Sequence, residues 1–327
     1  MEDRRLPVLV AHADWSCDPK KRWMAVSRRV RGTYEMEIPE PVGDTGSLLS
    51  CLRQRSNAGG PIIVGFDFPI GLPYSYASRA GITRFLDVLP LLGTGLWKNF
   101  YDIAEMARDI SLYRPFYPFR PGGTSRGQLS SALGVANFQE LLRTCERADA
   151  FRGNACPLFW TLGGQQVGRA AIAGWREVIV PALKDSPDTV SIWPFHGDLK
   201  NLLQEKGCVI VETYPAEACL HLGLKPPGKG YNKRRQEDRR RQAAILLAHA
   251  ERRGLLLSNK LRTEIRDGFG YEKEGEDRFD AIIGLMSMIE VVLGYRTEDL
   301  PPTSEVRNIE GWILGQSEKN RGANLYP

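Results

Sequence analysis

The sequence predicts an α/β protein, a mixed sheet flanked by helices, that carries a large, mostly helical insertion. Three observations lead there. Apolar runs at 7–14, 61–67 and 208–212 are strand-like, and each ends in an acid, Asp14, Asp67 or Glu212. The stretch 277–293 is apolar almost all round after its first turn, the pattern of a helix packed on a sheet. From 74 to about 190 the texture changes to helical pieces broken by loops such as 113–123. That block is too long to be a loop, so the expected division is a core of 1–73 and 190–327 with a helical insertion at 74–189.

Each element follows from local pattern. Residues 22–31 and 34–38 alternate like an antiparallel pair, with Gly32 and Thr33 as a two-residue turn. A helix is expected over 44–57, with Asp44 or Thr45 as N-cap and Leu48, Leu49 and Leu52 on one face; Gly59 and Gly60 end it. The strand at 61–67 is stopped by Pro69, Gly71 and Pro73. Beyond the insertion come a short extra strand at 191–195, a helix at 198–205 and the buried strand at 208–212. The basic stretch 229–241 opens a helix that turns apolar over 243–250 and stops at Gly254. The last helix, 277–293, ends at Gly294; Asp277 is a natural N-cap, and Asp280 shares its face.

Composition narrows the function. At 327 residues the chain has room for about two domains, and 42% apolar with 25% charged residues excludes disordered and fibrous classes. No apolar stretch is long enough for a membrane span, and the first residues lack the apolar core of a secretory signal, so a cytoplasmic protein with no membrane partner is expected. Six cysteines and four histidines are scattered, with no Cys-x-x-Cys pair. Thiols are therefore expected to be reduced, and a metal would be held by carboxylates, which suit magnesium or manganese. The net charge of +5 is matched by 229–241 alone, where Lys229, Lys233, Arg234, Arg235, Arg239, Arg240 and Arg241 face only Glu237 and Asp238.

Functional groups in such sheets gather at the carboxyl ends of strands. Asp14, Asp67 and Glu212 are expected there, with Asp277 and Asp280 leaning over the same edge. So many acids repel one another unless cations neutralise them. Two bridged divalent ions are the usual answer in enzymes that attack phosphodiesters. Asp280 carries particular weight, because an unpaired carboxylate on an otherwise apolar helix is costly. Glu217 reads as a first-turn helix acid.

The order strand, hairpin, helix and strand, then a strand with Glu212 and a helix with Asp277-x-x-Asp280, resembles the ribonuclease H-like fold of Holliday-junction resolvases. The phrases Ala13-Asp-Trp-Ser16, Asp67-Phe-Pro-Ile-Gly-Leu-Pro73, Glu212-Thr-Tyr-Pro-Ala-Glu217, Asp277-Arg-Phe-Asp-Ala281 and Glu310-Gly-Trp-Ile313 look like the domain-of-unknown-function family 429, nucleases by prediction. The resemblance covers both ends of the chain. It implies a magnesium- or manganese-dependent nuclease with two ions, in which Asp14, Asp67, Glu212 and Asp280 are catalytic ligands and Asp277 assists. Phe68 stands where an aliphatic residue is more usual.

Other motifs compete with this one. Gly163-Gly-Gln-Gln-Val-Gly168 nearly matches a phosphate loop, but Arg169 and Ala170 replace its lysine and hydroxyl. Gly123-Thr-Ser125-Arg-Gly127 matches a nucleophile elbow but follows Pro-Gly in a loop. The basic stripe, with Lys229, Lys233, Arg234 and Arg235, could meet a nucleic-acid backbone or simply be a solvated helix face. Arg114 and Arg120, in an aromatic loop, could clamp single-stranded bases. Two other functions fit the same acids: a magnesium-dependent nucleotide phosphohydrolase or phosphotransferase, and a non-catalytic nucleic-acid-binding or assembly protein.

Overall fold

The computed structural model describes residues 6–56, 59–149, 151–163, 166–205, 207–225 and 230–317. The chain divides into two units. The first holds the chain up to Asp67, Ala182–Glu298 and Ile313–Gly315; the second holds Phe68–Pro181, Asp299–Trp312 and Gln316 onward. Residues 299–312, read from the sequence as core, therefore pack with the inserted block. A segment's partners in space are not written in its own periodicity.

The first unit is built on an eight-stranded mixed sheet: β1 (Leu9–Asp14), β2 (Trp23–Val30), β3 (Thr33–Met36), β4 (Glu40–Pro41), β5 (Ile62–Phe66), β6 (Val190–Ile192), β7 (Cys208–Glu212) and β8 (Leu256–Leu257). The order is β6-β7-β5-β1-β2-β3-β8, with β4 paired to β2. β1, β2 and β3 run antiparallel in series, while β5 pairs parallel with β1 and β7, and β6 parallel with β7. Every residue of β1, β5 and β7 is buried. Such burial on both faces selects continuous apolar runs, and each Val, Leu or Ile so buried contributes about 1.5–3 kcal/mol.

The β2–β3 turn is Arg31-Gly32, one residue earlier than expected, since Val30 pairs with Thr33. Both turn residues have positive φ, 50° and 89°, as a type I′ hairpin requires, and glycine fits its second position. The expected strand at 191–195 is only Val190–Ile192, the helix at 198–205 only Leu199–Leu202, and the helix at 44–57 only Leu48–Arg55. The basic helix breaks into Gln236–Arg240 and Ala243–Arg252.

The long helix Glu274–Val292 lies on the sheet, and from Phe279 onward all its residues are buried. Glycines let it approach. A Cβ on Gly284 would lie 2.2 Å from the His12 ring, and one on Gly65 would lie 2.4 Å from Met288 Sδ. The helix begins at Glu274, three residues before Asp277, so Asp277 is inside the first turn and is not the N-cap.

The second unit is organised around aromatic pairs, Phe100 with Phe116 and Phe116 with Phe159, and a buried polar knot. Arg143 meets Glu146 at 2.9 Å, and its Nη1 donates to the Glu310 carbonyl at 3.0 Å. The Glu310 carboxylate accepts the Tyr74 and Thr144 N–H groups at 3.2 and 2.9 Å. The elbow-like Ser125 is a helix N-cap in a capping box with Gln128. Gly168, from the phosphate-loop likeness, allows close packing, since a Cβ there would lie 2.2 Å from the Leu158 carbonyl.

Candidate active site

Four aspartates of the first unit form one electrostatic cluster. Asp14 is the last residue of β1, and Asp67 directly follows β5, the strand beside it. Ala13 pairs with Phe66, so the next residues on the two strands are Asp14 and Asp67. Asp67 Oδ1 accepts the Trp15 N–H at 2.6 Å. Arg22 shapes the turn after β1, its guanidinium 4.2 Å from the Trp15 ring centroid and its Nε donating to the Ser16 carbonyl at 2.6 Å. Asp280 comes from the long helix, with Asp277 and Glu276 one turn before it.

The electrostatics are those of a site short of positive charge. Burial, then repulsion from Asp67 and Asp280, raises the Asp14 carboxyl well above the usual range. Burial raises Asp67 to about 7 against the pull of the Trp15 N–H. Burial, with Asp280 and Glu276 nearby, raises Asp277 to about 7. Asp280, 3% exposed, is also raised by burial, although Lys233 opposes the shift. Its Oδ2 is ion-paired to Lys233, while its Oδ1 is buried without a hydrogen-bond partner. Among the described residues no three His, Cys, Asp or Glu side chains are placed so that together they could hold a metal ion.

Glu212 is not brought to this cluster. In a strand, side chains alternate faces, and residues paired in register share one. Glu212 pairs with Phe66 and Phe66 with Ala13, so Glu212 lies on the face opposite Asp14. Nor is it among the charges that act most strongly on Asp14. The Glu212 carbonyl accepts the Leu314 N–H at 2.9 Å. Glu212→Gln should therefore keep any turnover within about tenfold of wild type, with its cost in thermal stability, on the order of 1–3 kcal/mol, read from the melting temperature.

Two residues that the sequence reading passed over sit on the Asp14 face. His12, two residues before Asp14, places Nε2 2.8 Å from Thr213 Oγ1, directly after Glu212 on the next chain segment. Burial lowers its imidazole to about 4, so it packs neutral beneath the acids. The alternation His12-x-Asp14 is the signal that could have found it.

Within the basic stripe Lys233 and Arg239 turn inward, while Arg234, Arg235, Arg240 and Arg241 stay exposed. Lys233 pairs with Asp280 and, at 3.5 Å, with Glu276; Arg234 also meets Glu276 at 3.5 Å. Arg239, 1% exposed, donates to the carbonyls of Gly268, Gly270 and Lys233. Arg240 pairs with Asp267, and Arg241 with Asp238. Arg235 is exposed, and Lys229 lies outside the described residues. In the second unit, Arg114 donates to the Asp102 and Ile103 carbonyls beside an open cavity of about 560 Å³. Arg120 there pairs with Glu105 at 3.3 Å, largely in solvent.

The raised acids have a consequence for stability. Asp67 and Asp277 bind protons in the folded chain up to about pH 7, whereas unfolded aspartates release theirs near 3.9. Between those values the folded state holds more protons, so their contribution to stability falls as pH rises from about 4 to 7. In chelator, Asp67→Asn should melt higher than wild type at pH 8, and that gap should shrink toward pH 5.

No family model, curated protein or solved structure matches the chain. Among the described residues no helix is long and apolar enough to cross a membrane.

Proposed function

We propose that the chain is a divalent-ion-dependent nuclease that hydrolyses phosphodiester bonds on a ribonuclease H-like core. The observation that carries this reading is the buried, unpartnered Oδ1 of Asp280 in a cluster where Asp14, Asp67 and Asp277 are all pushed toward protonation. Carboxylate oxygens are the donors that magnesium or manganese takes, and since no three of these acids are placed to hold an ion together, binding one requires them to draw closer. The strand order supports the fold, with three antiparallel strands in series followed by parallel ones on the far side of β1.

Asp14, Asp67 and Asp280 would hold the ion, with Asp277 beside them. When bound, such an ion polarises a phosphoryl oxygen and acidifies a water. The chain's own contribution is placement. The Trp15 N–H fixes Asp67, the Thr213 hydroxyl fixes the His12 ring beneath Asp14, and Lys233 steadies Asp280. Asp14 and Asp67, both pushed toward protonation, must lose their protons to serve as ligands, which ties ion uptake to pH.

One observation favours a smaller substrate. The stripe's inward members, Lys233 and Arg239, are engaged within the fold, so the acids directly meet one cation, Lys233, and the exposed Arg234, Arg235, Arg240 and Arg241 face solvent. A nucleotide phosphohydrolase would use the same acids. Labelled single- and double-stranded DNA and RNA, assayed beside free nucleoside triphosphates with magnesium or manganese, separate the two. Cleavage of any polymer supports the nuclease, and release of phosphate from free nucleotides alone supports the phosphohydrolase.

A further inference from the structure

The second unit holds a cavity of its own, about 560 Å³ and open to solvent, walled by the segment 101–109 together with Arg114 and Phe119. Backbone bonds stitch these walls together. The Ala104 N–H donates to the Phe116 carbonyl at 2.8 Å, and the Phe119 N–H to the Ala104 carbonyl at 2.9 Å. Arg114 spends its Nε and Nη2 on the Asp102 and Ile103 carbonyls. The cavity is therefore preformed, and its size suits a small ring system.

Phe119 offers that ring a flat face. Its side chain is half exposed yet held: the Arg169 guanidinium lies over the ring, 5.3 Å from the centroid, and Arg169 Nη2 donates to the Phe119 carbonyl at 2.9 Å. An exposed aromatic ring fixed in this way is a stacking platform for a nucleobase. The charges around it decide against phosphate. Asp102, Glu105 and Asp109 stand against the guanidiniums of Arg108 and Arg114. Arg120, which meets Glu105 at 3.3 Å from a largely solvated position, does no more than balance them, so no surplus of positive charge draws an anion in. Carboxylates accept hydrogen bonds, and guanine is the base that offers one of them two adjacent donors, its N1–H and its N2 amino group. Tyr101, also on the lining, buries its hydroxyl without a hydrogen-bond partner among the described residues, and the polar edge of a base would supply one.

We propose that this cavity holds one unpaired nucleobase, guanine in preference, stacked on Phe119 with its donor edge on the acids and its ribose and phosphate in solvent. The site needs neither an ion nor turnover, so it stands or falls independently of the carboxylate cluster.

Saturation-transfer difference NMR of the full chain in chelator, with GMP, AMP, CMP and UMP in turn, tests this. The guanine H8 proton should receive more saturation than the ribose protons, guanosine should displace GMP, and inorganic phosphate should not. Phe119→Ala should weaken GMP binding at least about tenfold, and Phe119→Trp should preserve it. Asp102→Ala combined with Asp109→Ala should erase the preference for guanine while stacking persists. No binding of any nucleotide, GMP binding unchanged in Phe119→Ala, an equal response from all four bases, or displacement by inorganic phosphate would each overturn the inference. Circular dichroism checks that the variants are folded, and Phe119→Leu, which keeps the bulk but not the ring, replaces Phe119→Ala if that variant is not.

Discussion

Asp14→Asn should abolish ion-dependent phosphodiester cleavage and, at the same time, raise the melting temperature of the ion-free chain. The two effects have one cause. Asp14 is 8% exposed and faces the negative charges of Asp67, Asp280 and Asp277, so its carboxyl is held well above the usual range. Asparagine preserves shape, but it brings no charge to be repelled and no anionic oxygen to hold an ion. Loss of activity should reach at least about a thousandfold, because a ligand to the reacting centre acts chiefly in the transition state. Asp280→Asn gives the control with the opposite sign in stability. It leaves the Lys233 ammonium without its closest partner, so the chain should melt lower, by a few degrees for roughly 1–3 kcal/mol. Differential scanning calorimetry in chelator reads both variants.

Gly284→Leu should unfold or grossly destabilise the first unit, although it introduces an apolar residue into an apolar helix. A Cβ at this position would stand 2.2, 2.3 and 2.4 Å from three atoms of the His12 ring. The ring cannot simply step aside, being hydrogen-bonded to Thr213 and surrounded by the buried strand β1. Forced overpacking of this kind costs about 1–3 kcal/mol and more where backbone must move. Here the helix would have to lift, taking Asp280, one helical turn earlier, away from Asp14. Gly284→Ala should show a milder form of the loss. Combining it with His12→Ala should recover stability beyond the sum of the single effects, since the cycle removes the clash itself. Chemical denaturation of the four proteins measures that coupling.

Much of the core was readable in the chain because the relevant physics is local. β1, β5 and β7 are buried on both faces, so their residues form unbroken apolar runs, and the acid after each run is conspicuous. The long helix was readable for the same reason. What the sequence hides is direction. Asp14 and Glu212 both end strands, yet the pairing of Ala13, Phe66 and Glu212 puts them on opposite faces, and register is a property of two strands together. Most of the basic stripe is the solvated face it looks like, but Lys233 and Arg239 turn inward because tertiary structure supplies Asp280, Glu276 and the carbonyls of Gly268 and Gly270 as partners. Asp277 fits an N-cap by type, but the helix gains another turn upstream from Glu274. Residues 299–312 carry no periodic mark of the unit they join.

The nuclease reading stands on the acids acting together, and cleavage of labelled DNA and RNA tests it most directly. Wild type, Asp14→Asn, Asp280→Asn and Glu212→Gln, prepared identically, would be compared with manganese or magnesium and with chelator. The account predicts cleavage by wild type and Glu212→Gln only when the ion is present, and none by either aspartate variant. Cleavage that persists in Asp14→Asn, or that proceeds undiminished in chelator, would contradict it.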